Sequence, residues 1–78
     1  MKNDYNTIGA KISKKIKLER INRGFSQESL ALEAGLNKST IWKIETNRMS
    51  PTIDTLEKIA AALGMDFASL TDVSKVDL

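Results

Sequence analysis

The 78-residue sequence contains no cysteine and no histidine. Without cysteine there are no disulfides and no thiol nucleophiles, and the lack of both residue types removes the usual zinc ligands. Histidine is also the side chain most often used for acid–base catalysis at neutral pH. Carboxylates remain, but a lone carboxylate in so short a chain rarely lines a catalytic cleft. We therefore expect no enzyme, no cofactor and no metal site.

Glycine and proline are scarce as well, at four and one residues, which argues against a turn-rich all-β fold. No apolar run approaches the roughly 20 residues that span a bilayer. The first residues, Met1–Tyr5, are polar and lack the apolar stretch of a signal peptide. We expect a cytoplasmic protein with no membrane partner. The length suits one domain, 1–78, with a marginal core that dimerisation often supplements.

Charge is distributed unevenly along the chain. Residues 1–50 carry ten basic and five acidic side chains, a net of +5, and residues 51–78 carry two lysines and five acidic side chains, a net of −3. This asymmetry indicates one face that attracts a polyanion and another that faces away from it. Charge alone leaves an ordinary solvated surface as an alternative.

Apolar residues at three- and four-residue steps predict five helices. The helices are expected at about 7–22, 27–34, 38–46, 53–63 and 67–71, with a frayed tail at 72–78. Short polar side chains precede the last four helices as N-caps: Ser26, Asn37, Thr52 and Asp66. Glycines are expected to end three of the helices: Gly24, Gly35 and Gly64.

The same periodicity predicts which side chains face the core. The first helix presents Tyr5, Ile8, Ile12, Ile16 and Arg20, and the others present Leu30, Ala31, Ala34, Ile41, Ile44, Ile53, Leu56, Ile59, Ala60, Leu63, Phe67 and Leu70. Leu36 is expected to plug the core under the turn that follows Gly35. Leu18 and Ile21 lie off the first stripe, so they either pack on a neighbouring helix or contact another subunit.

The second and third helices are short and are joined by a tight turn at Gly35. Two helices so joined form a helix-turn-helix, whose second helix lies in the major groove of DNA. The outer face of the third helix holds two cations, two hydroxyls and the only tryptophan, all within an arc of about 140°. These residues are Lys38, Ser39, Trp42, Lys43 and Thr46. An ordinary solvated face would mix both signs of charge, so Ser26–Thr46 predicts a reader of double-stranded DNA.

Between Ile8 and Leu70 the sequence resembles the lambda-repressor-like, or Cro/C1-type (Xre), helix-turn-helix family. The matching motifs are Arg20, Gly24–Ala31, Ala34–Leu36, Ser39–Glu45, Pro51–Ile53, Thr55–Leu56, Ile59–Ala60 and Ala62–Gly64. The resemblance implies an all-α, compact five-helix lambda-repressor-like DNA-binding domain. It also implies a transcriptional regulator that binds a two-fold symmetric operator as a homodimer. The length is most similar to restriction–modification controller proteins and small phage repressors, and an antitoxin or other protein-interaction module is the alternative.

The resemblance further implies roles for individual residues. Lys38, Ser39 and Lys43 match base-reading positions, and lysine can donate to guanine O6 and N7. A phosphate contact is the alternative for either lysine. Trp42 departs from the polar residues common there, and either approaches a thymine methyl or a sugar, or packs inward or against the following loop. Contacts to the DNA backbone are expected from Ser26, Gln27, Asn37, Thr46, Asn47 and Arg48. For Gln27, a plain surface glutamine beside a cap is the alternative.

Two further features follow from the resemblance. Arg20 and Glu45 match a charged pair that ties the first helix to the third, and we assign them to structure. Asn47 stands where the family often has glycine, so a left-handed backbone is expected there.

The acidic C-terminal part is the expected dimer surface, through Met65, Phe67, Leu70 and Val73. No effector domain is evident, so we expect no small-molecule ligand.

Overall fold

A computed structural model describes residues 7–77, which form five helices and no strand within that range. The helices are α1 (Ile8–Asn22), α2 (Gln27–Ala34), α3 (Lys38–Glu45), α4 (Ile53–Leu63) and α5 (Phe67–Thr71). The predicted all-α class is confirmed, and the helix bounds agree to within one residue. Across residues 7–77, none of the helices combines the length and the apolar character needed to cross a membrane.

Each helix begins at a polar side chain that accepts a hydrogen bond from the backbone N–H three residues later. The five N-caps are Thr7, Ser26, Asn37, Thr52 and Asp66. Because this bond satisfies one of the N–H groups that lack a partner in the first turn, it fixes where a helix starts. At the other end, α2 and α4 stop at Gly35 and Gly64, whose φ angles of 72° and 73° favour glycine.

A single core lies where the five helices meet. Six large side chains are completely buried: Ile16, Leu30, Ile41, Ile44, Ile59 and Leu70. Burial of a side chain of this size stabilises a fold by about 1.5–3 kcal/mol. All six belong to the predicted stripes, and Leu36 packs against them as expected.

Three residues predicted to face the core lie instead at the surface. Ile8 is 62 % exposed, Ile53 is 69 % exposed and Phe67 is 37 % exposed. Each is the first residue of its helix, where the apolar stripe runs past the edge of the packed core. On α1 the small side chains of Ala10 and Ser13 are buried as well.

Other expectations for α1 have different outcomes. Leu18 and Ile21, which lie off the predicted stripe, are exposed, so neither is covered by a neighbouring helix of the same chain. Ile12 is partly buried against the core, as predicted. Tyr5 lies outside the described residues.

The segment after α5 contacts α1, whereas the sequence suggested that it would fray. Lys15 Nζ donates to the carbonyl of Asp72 at 2.9 Å, and Lys14 Nζ donates to the carbonyl of Asp77. The side-chain and backbone hydrogen bonds from Ser74 lower the pKa of the Asp72 carboxyl. Two lysines of α1 thus hold the acidic tail on the first helix.

Candidate nucleic-acid interface

Helix α3 has one face in the core and the opposite face in solvent. Ile41 and Ile44 are completely buried, whereas the four residues expected to read bases are all exposed. These are Lys38, Ser39, Trp42 and Lys43. The helix begins at Asn37, whose Oδ1 accepts from the Thr40 N–H at 2.9 Å. The residues that the sequence places on one face therefore form a continuous, cationic, solvent-exposed surface.

Glu45, the only acidic residue of α3, is directed away from that surface. Its carboxylate accepts from Arg20 Nε at 2.6 Å and from Arg20 Nη2 at 3.0 Å, with side-chain exposures of 11 % for Arg20 and 2 % for Glu45. Arg20 Nη1 also donates to the Phe25 carbonyl at 2.8 Å. A bidentate charged pair of this kind is strong and directional. It joins α3 to α1 and neutralises the only carboxylate of α3.

Gln27 extends this network to the N-terminus of α2. Its Nε2 donates to Glu45 Oε1 at 3.2 Å, and the residue is half-buried. An amide nitrogen carries two protons, so one remains for a second acceptor. The bond spans 18 residues, and no local pattern in the sequence indicates it. Gln27 is therefore a half-buried, oriented donor, and its contact with a phosphate stays a prediction.

The loop after α3 is a compact turn centred on Asn47. Asn47 has a φ of 59°, which confirms the predicted left-handed conformation. The Asn47 N–H donates to the Ile44 carbonyl at 3.0 Å, and the Arg48 N–H donates to the Lys43 carbonyl at 2.8 Å. This pair of bonds is the Schellman motif. The buried Ser13 hydroxyl donates to Asn47 Oδ1 at 3.4 Å, which ties the turn to α1.

Trp42 and Arg48 are in contact across this turn. The Arg48 guanidinium carbon lies 5.0 Å from the centroid of the indole ring. Trp42 remains 43 % exposed. The ring thus contacts the following loop, which was one expectation, and it also lies on the exposed face of α3, while its approach to DNA stays a prediction.

Two residues expected at the DNA backbone already use their side-chain hydroxyls within the protein. The Ser26 hydroxyl forms a capping box with Ser29, a partner that the sequence pattern did not predict. The Thr46 hydroxyl donates to the Trp42 carbonyl at 2.8 Å. Both residues therefore stabilise the ends of the helix-turn-helix elements.

The expected dimer residues differ in their accessibility. Leu70 is completely buried in the core, so its assignment to a dimer surface is wrong. It lies on the inward face of the short helix α5, where its large apolar side chain packs in the core of the same chain. Met65 and Val73 are half-buried, and Phe67 is the most exposed of the four.

Comparisons with known proteins agree with this geometry. Residues 16–70 match the model of a helix-turn-helix family. A hypothetical transcription factor of Neisseria meningitidis is 36 % identical over 62 residues, which cover 80 % of this chain and 58 % of that protein. The control protein C.BamHI of Bacillus amyloliquefaciens is 32 % identical over 72 residues, which cover 91 % of this chain and 89 % of that protein.

A solved structure of the biofilm regulator SinR in complex with DNA is also similar. It superposes with a TM-score of 0.73 at 39 % identity, over 78 % of this chain and 98 % of that chain. SinR is a transcriptional regulator of Bacillus subtilis. The chain spans 33–58 % of the length of the first curated relatives that it matches.

Proposed function

The chain belongs to the Cro/C1-type helix-turn-helix family of DNA-binding transcription regulators, and from that premise we propose that it binds a specific two-fold symmetric DNA site as a homodimer. The observation that carries the proposal is the exposed face of α3, which holds two lysines and no carboxylate, because Glu45, the only acidic residue of the helix, is buried against Arg20. An α-helix with its side chains is about 10–12 Å in diameter, which suits insertion into a major groove about 12 Å wide.

We assign base contacts to Lys38, Ser39, Trp42 and Lys43. Lysine donates to guanine O6 and N7, the hydroxyl of Ser39 donates or accepts, and the indole of Trp42 suits a thymine methyl. All four side chains are exposed, which supports the assignment.

We assign contacts with the DNA backbone to the N-terminus of α2 and to both ends of α3, the reading helix. Gln27 has one amide proton left at the N-terminus of α2, where backbone N–H groups also favour a phosphate. Asn37 uses only its Oδ1 as a cap within the described residues, so its amide nitrogen can donate. Ser26, Thr46 and Asn47 contribute by fixing the helix ends beside the phosphates.

One short reading helix makes few base contacts, so a single copy would discriminate weakly between sequences. Two copies related by a two-fold axis would read half-sites about 34–36 Å apart. We place the contact between copies on the acidic C-terminal part, at Phe67 with Met65 and Val73, because DNA repels that part. A regulator of this kind acts where the DNA is, in the cytoplasm, and neither catalysis nor a small-molecule ligand is part of the proposal.

The similarity to C.BamHI over nearly the whole of that protein favours a restriction–modification controller. Selection of bound sequences from random DNA is the first test, and a two-fold repeat with fixed spacing is expected. A selected sequence without such a repeat would refute the symmetric-site proposal. Sedimentation at micromolar concentration is expected to give a dimer, and a monomer both alone and on DNA would refute it.

Substitution of the reading face tests the assignment of bases. The double variant Lys38→Ala/Lys43→Ala removes two contacts worth about 1–3 kcal/mol each, so affinity for the selected site should fall by about 30-fold or more. Helical circular dichroism should be unchanged because both residues are exposed. The matched control is Lys58→Ala/Lys75→Ala, which removes the same charge from the C-terminal part. Wild-type affinity in the first variant would contradict the assignment.

A further inference from the structure

The contact between Arg48 and Trp42 has a geometry that an isolated surface arginine lacks. The guanidinium carbon lies 5.0 Å from the centroid of the indole ring, within the ~6 Å range of a cation–π interaction. Trp42 is the only tryptophan of the chain and lies on the exposed face of α3. The arginine therefore covers part of the one large aromatic surface that this face offers to DNA.

The backbone places Arg48 there by a defined route. Asn47 turns the chain in the left-handed conformation, and the Arg48 N–H then bonds back to Lys43. Ser13 anchors this turn from the buried side of α1. Because the turn and the bond to Lys43 fix the Arg48 backbone, the side chain leaves the backbone from a defined position beside the ring.

An exposed arginine at the edge of a DNA-binding surface would by default contact a phosphate. A tryptophan that rotates freely in solvent, however, loses rotamer freedom when it binds. A planar guanidinium that stacks on the indole reduces that loss in advance, and an ammonium group stacks less well. Through this contact Arg48 can affect discrimination between DNA sequences indirectly, by limiting the rotation of the indole ring.

We propose that Arg48 is a positioning residue that stacks on Trp42 and holds the indole in the orientation used to read DNA. The inference rests on the proposed function, because it assigns Arg48 to the same reading face. It replaces the expected phosphate contact of Arg48 with an indirect role.

The first experiment uses the protein without DNA. Because Trp42 is the only tryptophan, quenching of its fluorescence by acrylamide reports the accessibility of that ring alone. Arg48→Ala should raise the quenching constant, and Arg48→Lys should raise it to an intermediate value. Lys58→Ala, a matched loss of one charge on α4, should leave it unchanged. An unchanged constant in Arg48→Ala would overturn the stacking contact.

The second experiment measures binding to the selected DNA site and to its single-base-pair variants. Arg48→Ala should weaken binding about two- to fivefold, the range of an exposed cation–π contact. The loss should be confined to sites that keep the base pair sensitive to Trp42→Ala, and it should vanish when Arg48→Ala is added to Trp42→Ala. The salt dependence of binding should be unchanged, and Arg48→Lys should not restore full discrimination.

A phosphate contact predicts the opposite pattern. Arg48→Ala would then weaken binding to every site equally, also in the Trp42→Ala background, and would reduce the log–log salt slope by about 0.9 for each contact. Arg48→Lys would restore most of the affinity. That result refutes the positioning role and leaves the proposed function intact, whereas a wild-type protein with no sequence preference refutes the proposed function and the reading role together.

Discussion

Replacement of Arg20 by methionine is expected to lower the free energy of unfolding by about 3–5 kcal/mol. Methionine keeps the apolar length of the arginine stem but removes the guanidinium, so Glu45 loses both bonds from Arg20 and keeps only the hydrogen bond from the Gln27 amide. Only 2 % of the Glu45 side chain is exposed, so water cannot replace the lost partner. The Phe25 carbonyl loses its donor as well.

The magnitude follows from the burial of both partners. Breaking a buried pair from one side costs about 3–5 kcal/mol because the remaining charge stays uncompensated. At 0.05–0.15 kcal/mol per residue, a chain of this length is stabilised by roughly 4–12 kcal/mol in total. Arg20→Met should therefore remove at least a quarter of the free energy of unfolding.

Urea unfolding followed by helical circular dichroism measures the effect, and Arg23→Met is the matched control. Arg23 also pairs with a carboxylate, Glu19, at 3.1 Å, but the two side chains are 40 % and 22 % exposed. An exposed pair four residues apart is worth only about 0.3–0.5 kcal/mol. The double variant Arg20→Met/Glu45→Leu buries no charge and should regain most of the lost stability. Equal losses in Arg20→Met and Arg23→Met would refute the reasoning.

Three further predictions concern the turn, the core and the caps. Asn47→Val should lower the free energy of unfolding by about 1–2 kcal/mol more than Asn47→Gly does, because both variants lose the bond from Ser13 but only valine is disfavoured at the left-handed φ of 59°. Equal free energies of unfolding for the two variants in urea would contradict this. Leu70→Ala should lower the free energy of unfolding by about 2–5 kcal/mol because it leaves a cavity in the core. Phe67→Ser should mainly weaken dimerisation, measured by sedimentation. The reverse pattern would show that Phe67 belongs to the core and Leu70 to the dimer contact. Hydrogen bonds from the side chain and then the backbone of Ser69 lower the pKa of Asp66. The contribution of the Asp66 carboxylate to stability is therefore fully present above the unfolded pKa of about 3.9 and is lost as pH falls through the lower native pKa. Asp66→Asn should accordingly make the free energy of unfolding depend less on pH below about pH 4. An identical pH dependence in the variant would argue against the cap.

Local chemistry explains why the helices were predictable. A cap such as Ser26 or Asn37 acts on an N–H only three residues away, and Gly35 ends α2 through its own φ preference. Neither effect needs a distant part of the chain. The period of the apolar residues likewise follows from helix geometry, so the inward faces of α2 and α3 were identified correctly.

The edges of the core were not predictable in the same way. Periodicity states which side of a helix is apolar, but it does not state how far a neighbouring helix extends along it. Ile8 and Ile53 therefore match the stripes and still lie in solvent, whereas Leu70 matches and is completely buried. The same limit applied to the C-terminal tail, because its bonds to Lys14 and Lys15 join residues more than 50 positions apart.

The sequence by itself determined the five helices, the helix-turn-helix and the exposed cationic face of α3, because each depends on bonds and periods that span a few residues. Only the tertiary structure decided what the individual side chains of that site do. It turned Glu45 inward against Arg20, oriented Gln27 through the same carboxylate, and placed Arg48 on Trp42. These contacts depend on how α1 and α2 pack against α3 and on the path of the following turn, which no single segment specifies.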